Sequence, residues 1–290
     1  MASAAHGFAL VTPASRGLGF AFAQQLLAQT RLPVVATARK NCDEVRERLL
    51  SSKGIPSNAE SRLCMAKVDV TGTLCDLSIC FHTLIRNASD EPSISSMADI
   101  IHQEYPDTPL RLALTVPGTL HVEKSPSQID AESALHSFQV NALGPLLLMK
   151  HLSPFLPTKS FAGFAKSEDG GGIQLPSHAI YAMMAARVGS ISDNVSGGWY
   201  SYRASKASVF QLTKTFDLYL RTRSREHALA VAMHPGTVQT DFTKDFWSGR
   251  DLLQPLDSAE RLLQILVNMS PGFQEGRGRC WDWKGEEVVP

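Results

Sequence analysis

Short apolar runs alternate with segments of helical period along almost the whole chain. Runs at 8–12, 32–38, 62–70, 110–116, 179–186, 228–234 and 278–283 have the length and residue types of strands. Between them, 20–29, 41–50, 93–104, 131–151, 200–221 and 257–268 read as helices. The run at 179–186 is apolar throughout, as expected of a strand covered on both faces. Regular alternation of this kind predicts an α/β fold: one doubly wound, mainly parallel sheet in a single domain over residues 1–290. Asn41 is expected to cap its helix, and Gly144-Pro145 to bend the helix over 131–151. There is no internal repeat and no interdomain linker.

Composition narrows the function classes. The 290 residues are 43% hydrophobic with a formal net charge of zero, enough for one sizeable core and without the basic stripe of a nucleic-acid binder. No Lys/Arg cluster points to an anionic membrane, and no stretch reaches the roughly 18 apolar residues of a spanning helix. The first residues lack the basic start of a signal peptide. Five scattered cysteines suit a reducing, cytoplasmic setting better than a disulfide framework. Cys75, Cys80 and His82 have no zinc-ligand spacing, so no metal is expected. Residues 72–89 break the pattern. Without them, Val68–Thr71 would run into Asp90-Glu-Pro-Ser as a strand, cap and helix, which reads as an insertion.

Two features carry chemistry. The run at 8–12 passes through Pro13-Ala-Ser-Arg-Gly-Leu-Gly19 into a helix, and glycines at such a turn let backbone N–H groups approach a pyrophosphate. Tyr202 and Lys206 stand four apart, on one face of the helix over 200–221. A phenol beside a cation is a plausible proton donor and acceptor, although a surface helix carries such a pair by accident as well. Ligands of doubly wound sheets bind beyond the C-terminal strand ends. Those ends carry the glycine turn, Arg39, Asp69, Gly118 and Pro235-Gly236, and the Tyr202 helix starts just beyond the fifth strand.

Five segments in register resemble the short-chain dehydrogenase/reductase family, with a likeness to its C-factor and sniffer-type carbonyl reductases at Gly189-Ser-Ile and Gly197-Gly-Trp-Tyr. The resemblance covers nearly all of the chain apart from 72–89 and implies a Rossmann-type fold. It assigns Thr12, Ser15, Arg16, Gly17, Leu18 and Gly19 to the cofactor turn, and Asp69-Val70 to adenine. Pro235, Gly236, Val238 and Thr240 would lie along the nicotinamide, with Gly118 leaving room beside it. By the same resemblance Tyr202 is the general acid/base and Lys206 lowers its pKa and binds the nicotinamide ribose. Asn141 would hold a water in the proton relay. The expected reaction is hydride transfer between NADP(H) and a small carbonyl or alcohol. The phosphate-bearing cofactor is favoured because Arg39, with Arg16 nearby, stands where NAD-specific sites place an acid. Homodimers or homotetramers are common in the family.

Three departures stand out. Pro13 replaces the first glycine of the turn, and Thr115-Val-Pro-Gly118 replaces an Asn-Asn-Ala-Gly. Ala186 occupies the place of the usual catalytic serine, which points to an impaired enzyme or to a weakly catalytic NADPH-binding protein with a sensing or partner-binding role. Ser190 and Ser192 are the alternative hydroxyl donors. Trp199, Tyr200, Phe242, Phe246 and Trp247 are either substrate-pocket or packing residues, in part on a substrate lid over 238–256. His234 reads as structural. The sequence leaves the substrate's identity open.

Overall fold

The structure, a computed structural model, describes residues 6–71, 91–165, 172–246, 252–272 and 276–290. The strands are β1 (Phe8–Thr12), β2 (Val34–Ala38), β3 (Leu63–Lys67), β4 (Leu110–Thr115), β5 (Ala179–Met184), β6 (Ala228–His234) and β7 (Cys280–Asp282). The helices are α1 (Gly17–Gln29), α2 (Cys42–Leu50), α3 (Glu91–Glu104), α4 (Ala131–Phe138), α5 (Gly144–Leu152), α6 (Tyr200–Arg223) and α7 (Pro255–Val267).

All seven strands pair parallel in one sheet, in the order β3-β2-β1-β4-β5-β6-β7. This is the Rossmann-type single-domain α/β fold that the alternation predicts. Strand order reverses between β1 and β4, so the crevice for a ligand opens above those two C-terminal ends. Alternate strand residues serve opposite faces. Ala9, Val11, Val34 and Ala36 pack with Phe22, Leu26, Leu262 and Leu266 of α1 and α7. Phe8, Leu10 and Val35 pack with Ile94, Met97, Leu148, Leu152, Val209 and Phe216 of α3, α5 and α6. Two-sided burial is why β1 and β2 read as unbroken apolar runs rather than alternating ones.

Several local expectations are corrected. Asn41 makes no capping hydrogen bond; it takes a left-handed backbone and its amide donates to Glu44 Oε2 at 3.0 Å. β5 ends at Met184, because Ala186 already leads into a short 3-10 turn at Arg187–Gly189. The expected bend ahead of Pro145 takes the form of a π-helical segment, Gln139–Leu143, between α4 and α5. Proline has no N–H to continue the ladder, and the wider turn absorbs the mismatch. The segment 72–89, with Cys75, Cys80 and His82, lies outside the described residues, as does Trp247. No helix among the described residues is long and apolar enough to cross a membrane, and no group of potential metal ligands occurs among them.

Candidate active site

The glycine turn follows directly from β1. Thr12 is fully buried and its hydroxyl accepts from Thr37 Oγ1 at 2.7 Å, fixing β1 to β2 at the strand ends. Thr12–Pro13 is a cis peptide. The following Ala14 N–H donates to Thr37 O at 2.7 Å. Gly19 is obligatory here, since a Cβ at that position would sit 1.9 Å from the Pro13 carbonyl oxygen. Arg16 precedes α1, whose first turn holds no acid and receives no side-chain cap, leaving its N–H groups to a ligand. Ser15, Gly17 and Leu18 are half-buried along this turn, and Arg16 and Arg39 are exposed.

The remaining strand ends close around the same crevice. Asp69 N–H donates to Ser93 Oγ at 3.0 Å, and Asp69 Oδ1 accepts the Thr71 N–H at 2.8 Å. Val70 lies against Gly144, where a Cβ would approach Val70 Cβ to 3.1 Å. The Pro235 carbonyl accepts from Ser258 Oγ at 2.9 Å, and Gly236 takes a left-handed backbone with φ 76°. Val238 is buried and pairs with Leu253, so the two ends of the segment over 238–256 are tied together. Thr240 reaches back to the glycine turn, its Cγ2 being 3.3 Å from where a Gly17 Cβ would stand.

Lys206 and Asn141 meet at this edge, and Tyr202 stands one helical turn before Lys206 on α6. A Cβ placed on the exposed Gly118 would lie 3.8 Å from Lys206 Nζ and 3.9 Å from Asn141 Oδ1. The Lys206 ammonium donates to Met184 O at 2.9 Å and Pro117 O at 3.4 Å, at the ends of β5 and β4. Asn141 is held on three sides. Its Oδ1 accepts the Thr119 N–H at 2.8 Å, and its amide donates to Thr119 O at 2.9 Å and to Ser205 Oγ at 3.0 Å. The Tyr202 ring packs between Trp199 and Phe242, with centroids 6.0 and 6.2 Å away. Gly189 lets α6 approach the preceding turn, since a Cβ there would stand 2.7 Å from the Lys206 carbonyl carbon.

Burial sets the electrostatics. Tyr202 is 5% exposed and Lys206 3%. Removal from water pushes the phenol above its ordinary range and brings the Lys206 ammonium down to about 8. In the free protein desolvation favours the neutral form of both groups.

Ala186 is buried at the mouth of the β5–α6 connection. Ser190 Oγ accepts the Asp193 N–H at 3.0 Å, closing its own turn, and Ser192 Oγ donates to the Pro290 carbonyl. Thr115 Oγ1 donates to Ala182 O at 3.1 Å, so its single hydroxyl is spent holding β4 to β5. His234 is a half-buried strand-end residue whose pKa is lowered to about 4, first by desolvation and then by the Arg187 charge. Two contributors escaped the sequence reading. Ser205 supports Asn141, and Glu123, in an apparently solvated polar loop, is buried beneath the start of α6. The period of α6 marked Ser205 as core-facing; no local signal marked Glu123.

Known proteins resemble this chain in sequence and in fold. The chain is 30% identical over 159 residues to 1-hydroxy-2-glutathionyl-2-methyl-3-butene dehydrogenase of Rhodococcus sp. (strain AD45), a match spanning 53% of this chain and only 61% of that relative. It is 30% identical over 161 residues to C-signal of Myxococcus xanthus, spanning 55% of this chain and 80% of the relative. Among solved structures, NADPH-bound carbonyl reductase from chicken fatty liver superposes with a TM-score of 0.72 at 24% identity, over 98% of each chain. At that identity the likeness speaks to the fold. No protein-family model matches the chain.

Proposed function

Because the chain belongs to the short-chain dehydrogenase/reductase family, we propose that it is an NADP(H)-dependent oxidoreductase acting on a carbonyl/alcohol pair, with Tyr202 as general acid/base. The observation that carries this reading is the convergence of Lys206, Asn141 and Phe242 beside the bare backbone of Gly118, above the switch point of the sheet, with the Tyr202 ring packed against that same Phe242. The crevice fits a dinucleotide: the uncapped N-terminus of α1 favours a pyrophosphate, and Arg16 and Arg39 present cations for a 2′-phosphate. Asp69 and Val70 would border adenine. Gly118, Pro235, Gly236, Val238 and Thr240 would line the far end.

When bound, the nicotinamide supplies or accepts the hydride. The chain's own residues handle the proton. Hydride arrival makes the carbonyl oxygen an alkoxide, and the Tyr202 phenol gives that oxygen its proton. A phenolate so formed lies in a desolvated site, where the nearby Lys206 ammonium is its counter-charge. Asn141, fixed by Thr119 and Ser205, holds the relay that returns a proton from solvent. Trp199, Tyr202 and Phe242 give the carbonyl an aromatic surrounding, and residues 238–256 form the substrate lid. Exposed Leu135, Phe138 and Leu146 on α4 and α5 are the face for a second copy in a homodimer or homotetramer. A cytoplasmic setting belongs to the same reading.

A second reading, a weakly catalytic NADPH-binding protein, is favoured by Ala186 together with the Ser192 hydroxyl being given to Pro290. NADPH consumption at 340 nm against a panel of carbonyls separates the two. The first reading expects turnover that falls about 100-fold or more in Tyr202→Phe. NADPH binding without turnover of any carbonyl supports the second. Arg39→Asp is expected to weaken NADPH far more than NADH, and equal weakening of both would sink the phosphate assignment.

A further inference from the structure

We infer that Glu123 is a positioning residue for the catalytic phenol, acting through Trp199; this rests on the reading of Tyr202 given above. Glu123 lies in the connection between β4 and α4, yet it is only 2% exposed. Its Oε2 accepts the Ser201 N–H at 2.7 Å, satisfying a donor in the first turn of α6. Its backbone carbonyl accepts the Trp199 N–H at 2.6 Å. One residue thus grips both sides of Tyr200, immediately before the phenol.

The grip has a conformational consequence. Trp199 takes a left-handed backbone with φ 53°, uncommon for a bulky side chain. Gly197 and Gly198 before it are also left-handed, at φ 62° and 68°. This run of the backbone turns the Trp199 ring onto Tyr202, edge to face at 68° with centroids 6.0 Å apart. Arg203 holds the carbonyl side of the same run, its N–H donating to Trp199 O at 2.7 Å and its guanidinium to Gly198 O at 3.0 Å, while Glu123 takes the N–H side. Glu123 also costs the fold something. Its Oε1 is buried and has no hydrogen-bond partner among the described residues. A buried carboxylate with one oxygen unused is unfavourable, even with the positive end of a helix beside it. A cap alone would be served by an exposed serine or aspartate at lower cost. Fixing the indole that walls the phenol is what a buried, two-point grip adds.

The test uses Glu123→Ala, Glu123→Gln, Trp199→Ala, Trp199→Phe and the Glu123→Ala/Trp199→Ala double variant in the full chain. The carbonyl KM, the NADPH Kd and the tryptophan emission are measured, the Trp199 share of emission being the difference between the parent and Trp199→Phe. Glu123→Ala is expected to raise the carbonyl KM about tenfold, the worth of one well-placed hydrogen bond, with NADPH affinity changed less than about twofold. It should also shift the Trp199 emission. Glu123→Gln, whose amide oxygen still accepts from Ser201, should restore both. In the double variant the Glu123 change should add nothing to the Trp199→Ala defect. Effects that multiply, or a Glu123→Ala protein that loses only thermal stability, would overturn the inference. So would a folded Glu123→Gln protein with displaced Trp199 emission, which decides the matter if the alanine variant does not fold. Should the parent turn over no carbonyl, the reading of Tyr202 fails separately, and the emission comparison still tests the grip.

Discussion

The two halves of α6 bury charge in opposite ways. Near its C-terminal end Asp217 is completely enclosed, and every oxygen has a donor. Oδ1 accepts from Arg277 Nε at 2.9 Å and the Ala230 N–H at 3.1 Å, while Oδ2 accepts from Arg221 Nε at 2.9 Å. Near its N-terminal end Lys206 is nearly as deep, but it donates only to neutral carbonyls and its pKa falls to about 8. The first arrangement neutralises a buried charge and ties α6 to β6 and to the segment before β7. The second leaves a charge undercompensated at the crevice, where a ligand can use it. A compensated and an undercompensated buried charge thus share one helix, with the cost concentrated at the end that faces the crevice.

The contrast can be broken at either end. The largest effect is expected from Asp217→Ala, which strands the Arg277 guanidinium in the core and should cost about 4 kcal/mol, read from the urea midpoint. Turnover per folded molecule should be unchanged, because Asp217 touches nothing in the crevice.

Next comes acid. Burial brings both His178 and His234 down to about 4, so each is neutral in the native state over a range where the unfolded chain is charged. Between the ordinary value of 6.5 and about 4 the unfolded chain therefore binds more protons, and stability falls as pH falls through that window. The loss approaches about 3 kcal/mol per histidine near pH 4. His234→Gln should remove its share of the slope in a series of melts from pH 7 to pH 4. An unaltered slope would show that His234 is not the group responsible.

Lys206 has the opposite sign to Asp217. Its native pKa of about 8 lies below the ordinary 10.5, so stability rises with pH across that interval and the charged amine burdens the fold below it. Lys206→Met should abolish turnover yet stabilise the protein by about 2 kcal/mol at pH 7, part of the relief being lost because the Met184 and Pro117 carbonyls forfeit a donor. The gain should fade as pH approaches 10.5. A destabilised Lys206→Met protein at pH 7 would erase the distinction between the two ends of the helix. The smallest effect belongs to Ser205→Ala, which removes one partner of the Asn141 amide. It should cost about 1 kcal/mol in stability and several-fold in turnover, with NADPH binding intact.

Some of these features were readable in the chain itself. Tyr202 and Lys206 share a helix face because the helical period puts them there, and the glycine turn follows β1 as a local pattern of a few residues. Asp69, Gly118 and Pro235 come to one edge because parallel strands share a C-terminal end. Features that depend on contacts far apart in sequence were not readable. Glu123 looks like any acid in a polar loop until Ser201, seventy-eight residues later, settles on it. Ser192 looks like a free hydroxyl donor until Pro290, ninety-eight residues later, accepts its hydrogen bond. Asn41 looks like a cap until the left-handed turn after β2 points its amide at Glu44.

The sequence by itself determined the layered α/β fold, the glycine-bearing crevice and the Tyr202/Lys206 pair, since period and punctuation act within a few residues. Only the tertiary structure decided the state of that pair. Desolvation is set by everything packed around a group, and here it pushes the phenol up and draws the ammonium down.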